Sequence, residues 1–326
     1  KDAMDVILKQ AESYAYAEYK GKIQNWGYMA NLSLNRFYYS QRDNRSERYG
    51  LQPSLLVSYN PVDNLHFRYH INLKNNAPSI AYLNDVEQRI DILQTRRGNP
   101  NLKSFRSTIQ DFNAVFNTGI CSIDALVSYA YEKSPIMESV IYEEGMFIRT
   151  YENQKSFQHL IAEVTFKIKP WKDHISLSIT PGINRYISTG NNYLHTYTLK
   201  ELRINLDASY KNWLLNFMTI TPPNRYVYGE QLLKGDLMHT LMIGYKQPAW
   251  SIMAGIHNPF MKTYRSENEN WSALNPVKSD IHSTNMSNTI VVKLNFNLNF
   301  GRQYKGANKR IQNMDTDSGI LQGTKE

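Results

Sequence analysis

One cysteine, Cys121, is all that the 326 residues contain. That excludes an internal disulfide framework and any metal site built from several thiolates. It lies in the turn-like run "NTGICS", where a small turn residue is the plainer reading than a reactive thiol. Long apolar runs are missing as well: no stretch approaches the ~18 consecutive apolar residues of a spanning helix. Helical membrane proteins are thereby excluded, but a barrel is not, because its polar and apolar residues alternate and average out. The opening "KDAMDVILKQ" lacks the basic segment and apolar core of a signal peptide.

Charge and catalytic fingerprints are equally uninformative by their absence. The net charge is +8, yet lysine and arginine are dispersed with no dense basic block, so nucleic acid is not an expected partner. There is no G-x-S-x-G, no P-loop and no dinucleotide fingerprint, and no enzyme is expected. The eight histidines form no HxH or HExxH pair. His66 and His70, four apart on a strand, stand about 13 Å apart, too far for one metal. Asp315-Thr316-Asp317-Ser318-Gly319 has the look of a calcium loop's start but lacks its distal ligands, and reads as a solvated tail. Neither cofactor nor metal is expected.

What the chain does have is tyrosine, 23 of them, and alternation. Tyrosine suits strands, and a ring with a polar tip suits a membrane interface. In "LIAEVTFKIKPWKDHISLSI", Leu160, Ala162, Val164, Phe166 and Ile168 share one parity, and Ile175, Leu177 and Ile179 resume it after Pro-Trp-Lys-Asp. "ELRINLDASY", "TIVVKLNFNLNF" and "LHFRYHINL" repeat the pattern, the signature of strands with one apolar face. "IAYLNDVEQRIDIL" comes nearest to a helix.

Connection lengths add direction. Short turns are expected at 24–26, 60–64, 117–122, 170–173, 210–213 and 246–250, and long polar links at 41–50, 75–106, 133–157, 188–196, 221–235 and 258–287. Short and long alternate, as in outer-membrane barrels with tight periplasmic turns and long extracellular loops. Trp26, Trp171, Trp213 and Trp250 sit in or beside short turns, which predicts an aromatic girdle at one membrane boundary. The fold class expected is an all-β, antiparallel, up-and-down transmembrane β-barrel. About thirteen strands are expected in residues 1–300, with a polar periplasmic tail over 301–326. Because single-chain bacterial barrels use even strand numbers, an odd count predicts the C-terminal part of a larger barrel.

"RRGNPNLKSF" (96–105), the tail "FGRQYKGANKRIQNMDTDSGIL" (300–321) and "AYAEYKGKIQNWGYMANLSLNRFYYS" together resemble the C-terminal barrel half of TonB-dependent-receptor-like outer-membrane proteins. The resemblance covers nearly the whole chain and implies a bacterial outer-membrane location and a barrel of typically ~22 strands around an N-terminal plug. It further implies TonB as a partner through that plug, contact with outer-membrane lipid and lipopolysaccharide, and an unknown extracellular ligand. The chain itself holds neither plug nor TonB-contact motif, and it ends in Lys-Glu rather than a terminal aromatic.

With the apolar parity on lipid, Asp111, Glu163, Lys167, Arg203, Asp207 and Lys293 face the lumen, where each could be satisfied by neighbours or the plug. Lys or Arg on the lipid side would cost about 2–4 kcal/mol at midplane, so this one-sidedness is informative. Ligand contacts belong in the loops, and the candidates are Tyr82, Arg89, Arg96, Arg97, Tyr142, Phe147, Arg149 and Trp271. "MESVIYEEGMFIRTYE" predicts a hairpin extension turning at Glu-Glu-Gly. Gly98-Asn99-Pro100-Asn101 is read as a loop-shaping turn whose Gly and Asn tolerate left-handed geometry. The function expected is a receptor and gated transporter. An uncoupled porin or adhesion barrel, or a soluble β-rich binding domain, is the alternative.

Overall fold

In the computed structural model, which describes residues 8–41, 44–171, 174–222 and 225–297, the chain is strand almost throughout. It opens with β1 (Leu8–Ile23), β2 (Trp26–Gln41), β3 (Asn44–Val62) and β4 (Leu65–Asn76). A single helical turn, α1 (Ile80–Leu83), precedes the short β5 (Gln88–Arg89) and β6 (Gln94–Arg96). Then come β7 (Phe105–Asn117), β8 (Cys121–Lys133), β9 (Ile136–Glu143), β10 (Met146–Asn153), β11 (Ser156–Trp171) and β12 (Ile175–Thr189). They are followed by β13 (Leu194–Tyr210), β14 (Trp213–Ile220), β15 (Tyr226–Tyr228), β16 (Gln231–Gly235) and β17 (Met238–Lys246). The last are β18 (Trp250–His257), β19 (Tyr264–Asn270), β20 (Val277–Ser283) and β21 (Thr289–Phe296). The 301–326 tail lies outside the described residues.

Thirteen strands form one sheet, in the order β1-β2-β3-β4-β7-β8-β11-β12-β13-β14-β17-β18-β21. Its neighbours are antiparallel and follow chain order, which is the up-and-down arrangement expected from alternating connections. Five of the six short turns fall where the sequence places them, and the sixth, 170–173, lies partly outside the described residues. Two of them are two-residue links in which Gln24 and Lys211 take positive φ, 49° and 51°. The register settles which residues share a face. Asp111 lies opposite His70 and Ser128, Glu163 opposite Leu126 and Gly182, and Lys167 opposite Ser178. Carried across the sheet, these pairings bring Arg203, Asp207 and Lys293 onto the same face.

The opposite face is apolar and open. Among its exposed residues are Leu55, Phe112, Val127, Phe166, Ile179, Ile243 and Val292. Of the eight apolar positions between Leu160 and Ile179, five are exposed, three are half-buried and none is buried. On β2 the apolar run extends from Trp26 to Leu34 and stops at Arg36; on β12 it extends from Ile175 to Ile183 and stops at Arg185. Each run is about nine residues, the length a tilted strand needs to cross a hydrocarbon core.

The true core lies at the long-loop end. Phe37, Tyr39, Ile80, Leu83, Leu102 and Ile136 form one buried cluster, and Met137, Phe157, Tyr186, Val227 and Leu232 another. Phe37, Tyr39, Phe157 and Tyr186 belong to the polar face of the sheet, so the loops fold onto that face rather than away from it.

Two of the six long links are corrected. Residues 41–50 are mostly strand, since β2 ends at Gln41 and β3 starts at Asn44. The 188–196 link shrinks to residues 190–193, closed by Gly190 N–H donating to Tyr193 O at 3.0 Å. In both places polar residues made strand look like loop. Arg36 Nε donates to Glu47 at 2.5 Å and Tyr49 Oη to the same carboxylate at 2.7 Å. Charge here marks where the sheet leaves the apolar zone, and the strands continue past it.

Candidate ligand-binding site

The remaining loops build two small sheets at that end, β5-β6-β10-β9 and β15-β16-β19-β20. In the first, the β9–β10 hairpin turns at Glu144 and Gly145, both with positive φ (49° and 81°), the geometry of a type I′ turn. β6 adds in parallel to β10 and β5 closes the edge. In the second, a charge ladder crosses the strands. Lys234 bonds Glu267 and Glu269 at 3.2 and 3.0 Å, and Arg265 bonds Asp280 at 2.7 Å. The Lys234 ammonium beside it is the first cause holding the Glu269 carboxyl down at about 2.

Most of the arginine candidates are engaged in holding these loops together. Arg149 donates through Nε and Nη2 to Glu138 at 2.8 and 2.5 Å, a pair with both side chains largely shielded. Arg97 donates to Glu143 at 2.6 Å, and Arg89 Nε to the Asp91 carbonyl at 3.0 Å. Arg96 is buried. Tyr82 stacks on Tyr151 at 4.0 Å, and the exposed Tyr142 ring meets Phe147 at 5.0 Å. These seven cluster on or beside the first loop sheet. Trp271 belongs to the second, where its indole donates to Glu269 at 2.8 Å and meets His195 edge-on at 4.8 Å. Arg149→Met leaves the Glu138 carboxylate half-buried and unpaired. It is expected to destabilise the β9–β10 hairpin by about 1–3 kcal/mol, read as faster amide exchange over 136–153.

Gly98 shapes the loop, but for a different reason than the turn chemistry suggests. Its φ is not positive; instead a Cβ there would come within 2.4 Å of the Asn84 carbonyl oxygen and 2.5 Å of that of Tyr82. Gly98 and Asn99 donate their own N–H groups to those same carbonyls, at 2.8 and 2.6 Å. Only glycine lets the two backbones approach so closely. Gly98→Ala is therefore expected to displace the 82–84 segment at about 1–3 kcal/mol, measured as protease sensitivity confined to residues 77–104.

Between the two loop sheets runs a seam with two recesses, of about 350 and 210 Å³. Sequence patterning did not flag most of its lining, which includes Asn191, Asn192, Tyr193, Glu230, Gln231 and Asn268. The only hint was the amide-rich wording of "GNNY" and "SENENW". Burial raises the Glu230 carboxyl above its ordinary range. A third recess, about 490 Å³, lies on the polar face of the large sheet between Arg68, His70, Asp111, Asn113 and Ser128. There Ser128 donates to Asp111 at 2.6 Å. On the same face Arg203 donates to Glu163 at 2.5 Å, and Asp207 accepts from Asn205 and Asn216 at 2.6 and 2.8 Å. Lys167 and Lys293 are exposed. No three His, Cys, Asp or Glu side chains among the described residues could hold a metal ion.

The four tryptophans occupy strand ends at the short-turn side and are all exposed, from 39% at Trp250 to 57% at Trp171. Each lies against a tyrosine: Trp26 stacks on Tyr59 at 4.3 Å, Trp171 lies 6.4 Å from Tyr210, and Tyr245 lies 5.2 Å from Trp213 and 5.9 Å from Trp250.

Comparison with known proteins agrees with this architecture. The sequence profile of the outer membrane protein beta-barrel family matches residues 4–226. No curated protein matches the chain. Among solved structures, the copper transporter OprC is similar with a TM-score of 0.62 at 13% identity, covering 89% of this chain and 48% of that one. The FrpB iron transporter from Neisseria meningitidis (F5-1 variant) gives 0.59 at 12% identity, over 84% of this chain and 44% of its own. The siderophore receptor PirA from Pseudomonas aeruginosa gives 0.55 at 13% identity, over 90% and 58%. The chain thus spans about half the length of these relatives. At such identities the likeness is one of fold.

Proposed function

Since the chain belongs to the outer membrane protein β-barrel family, and so to the bacterial outer membrane, we propose that it forms the C-terminal wall and ligand-binding loops of a TonB-coupled uptake receptor. The observation that carries this reading is the direction in which the loops fold. They pack onto the inward face of the wall through Phe37, Tyr39, Phe157 and Tyr186, where they stand over the barrel's interior. A porin's mouth is kept wet and open; here two small sheets narrow it.

The rest of the reading follows from physical roles. The apolar face meets lipid and lipopolysaccharide, with Trp26, Trp171, Trp213 and Trp250 as the periplasmic-side girdle. Asp111, Glu163, Lys167, Arg203, Asp207 and Lys293 face a lumen filled by a plug from the same full-length chain, and that plug contacts TonB. The barrel closes with further strands, to about 22 in all. Tyr82, Arg96, Arg97 and Arg149 shape the loops, and Tyr142, Phe147, Arg89 and Trp271 remain placed to meet a ligand. The relatives are named as transporters and receptors, and this chain is read likewise as a binder and not an enzyme.

Conductance of the full-length protein in a planar bilayer tests the reading without knowledge of the ligand. A plugged receptor passes no steady current and captures the periplasmic domain of TonB. Steady ohmic conductance without TonB capture would make it a porin.

A further inference from the structure

Resting on that reading, we infer that the seam between the two loop sheets is a binding site for a neutral oligosaccharide. The seam is continuous. Gln231 of one recess pairs with Asn270, and the next residues out, Glu230 and Trp271, line the other recess and are joined by a backbone hydrogen bond of 2.8 Å. On the facing sheet, Arg149 of the first recess pairs with Val140 of the second. A chain of a few sugar rings could thus follow one path past both.

Chemistry selects the class. The lining is rich in carboxamides, and Gln94, Gln231, Asn192, Asn268 and Asn275 make no side-chain hydrogen bond among the described residues. Each amide offers two donors and an acceptor, which matches hydroxyls that both donate and accept. Carboxylates at Glu152 and Glu230 add acceptors in the larger recess, where Gln154 Nε2 already donates to Glu152 at 3.3 Å. Aromatic surface comes from Trp271 and from Tyr193, whose ring stacks on His195 at 4.9 Å. Such a wall suits the C–H face of a pyranose.

Charge argues against the other candidates. An anionic metal chelate needs unpaired cations around it. The lining's arginine, Arg149, is charge-paired with Glu138 through two hydrogen bonds, and no lysine lines either recess. The carboxylates that remain would repel it. A peptide would require apolar pockets for its side chains, and the aliphatic side chains in this lining are few: Val140, Ala273, Leu274 and Val277.

The test is binding of the full-length protein, in detergent, to an array of neutral gluco-, manno-, galacto- and xylo-oligosaccharides of two to six units. A ferric catecholate complex and a tripeptide pool serve as comparators. At least one glycan is expected to bind, weakened by about tenfold or more in Trp271→Ala. Weakening is also expected in Asn192→Ala, an exposed turn position whose change leaves the fold intact, while Lys103→Ala, exposed and outside the seam, has no effect. Binding of the ferric complex or peptides alone, no binding at all, or glycan binding indifferent to both seam variants overturns the inference. Plug conductance and TonB capture are measured on the same preparation. A plugged, TonB-binding barrel that ignores glycans refutes the ligand class and spares the receptor.

Discussion

Phe166→Arg is expected to lower the stability of the full-length protein in lipid vesicles by about 2–4 kcal/mol, or to abolish its insertion. Phe166 is 50% exposed on the apolar face, five residues from Trp171 and cross-strand from Ile123 and Ile179. In water such a position would accept an arginine at almost no cost. In a bilayer it sits near midplane, where a guanidinium has neither water nor a partner. The matched control is Leu126→Arg on the polar face, where the register sets it opposite Glu163. That variant is expected to change stability by less than about 1 kcal/mol. Urea titration of both variants, followed by heat-modifiable gel migration, reads the difference. Equal effects at the two positions would remove the reason to call one face lipid-exposed.

The second large effect is expected at Leu232→Ala, and it should be local. Leu232 is 2% exposed between Val227, Phe157 and Tyr186, so truncation removes transfer energy and leaves a cavity, about 2–5 kcal/mol together. The site lies in a loop sheet joined to the wall by packing and not by strand pairing. Loosening is therefore expected in amide exchange and protease cleavage over 226–235 and 264–283, with the barrel's heat-modifiable band unchanged. Parallel loss of the barrel would mean that the loop cores hold the wall together as well.

The wall was legible from the sequence because a strand with lipid on one side and water on the other writes a period-2 code. On either side of its turn, Leu160 to Ile179 carries that code with one lapse, Ile161, and Ile290 to Phe296 carries it with one, Val291. The thirteen strands of the large sheet and the short turns among the described residues follow from it. Loop lengths are harder to read, because a polar stretch of strand and a polar loop share one composition. Arg36, Glu47 and Tyr49 are polar because the strands there have left the apolar band, yet they remain in register.

The loops resisted reading for a deeper reason. Their sheets join residues far apart in sequence: β6 with β10, and β16 with β19. Nothing local announces that Gln94 and Gln231 line one recess. Gly98 was legible as a shaping residue, but the close carbonyls of Tyr82 and Asn84 that require it appear only in three dimensions. The arginines drew attention as candidate ligand contacts, whereas the structure places Arg97 and Arg149 against Glu143 and Glu138.

Spin labels placed singly along residues 160–169, in full-length protein carrying Cys121→Ser, test the central claim most directly. Cys121 is an exposed free thiol and must be removed first. Labels at 160, 162, 164, 166 and 168 are predicted to relax with dissolved oxygen, which concentrates in lipid. Labels at 161, 163, 165, 167 and 169 are predicted to relax with a water-soluble paramagnetic reagent. Accessibility that is uniform along the strand, or alternates with the opposite parity, would contradict a membrane-spanning wall with its apolar face outward.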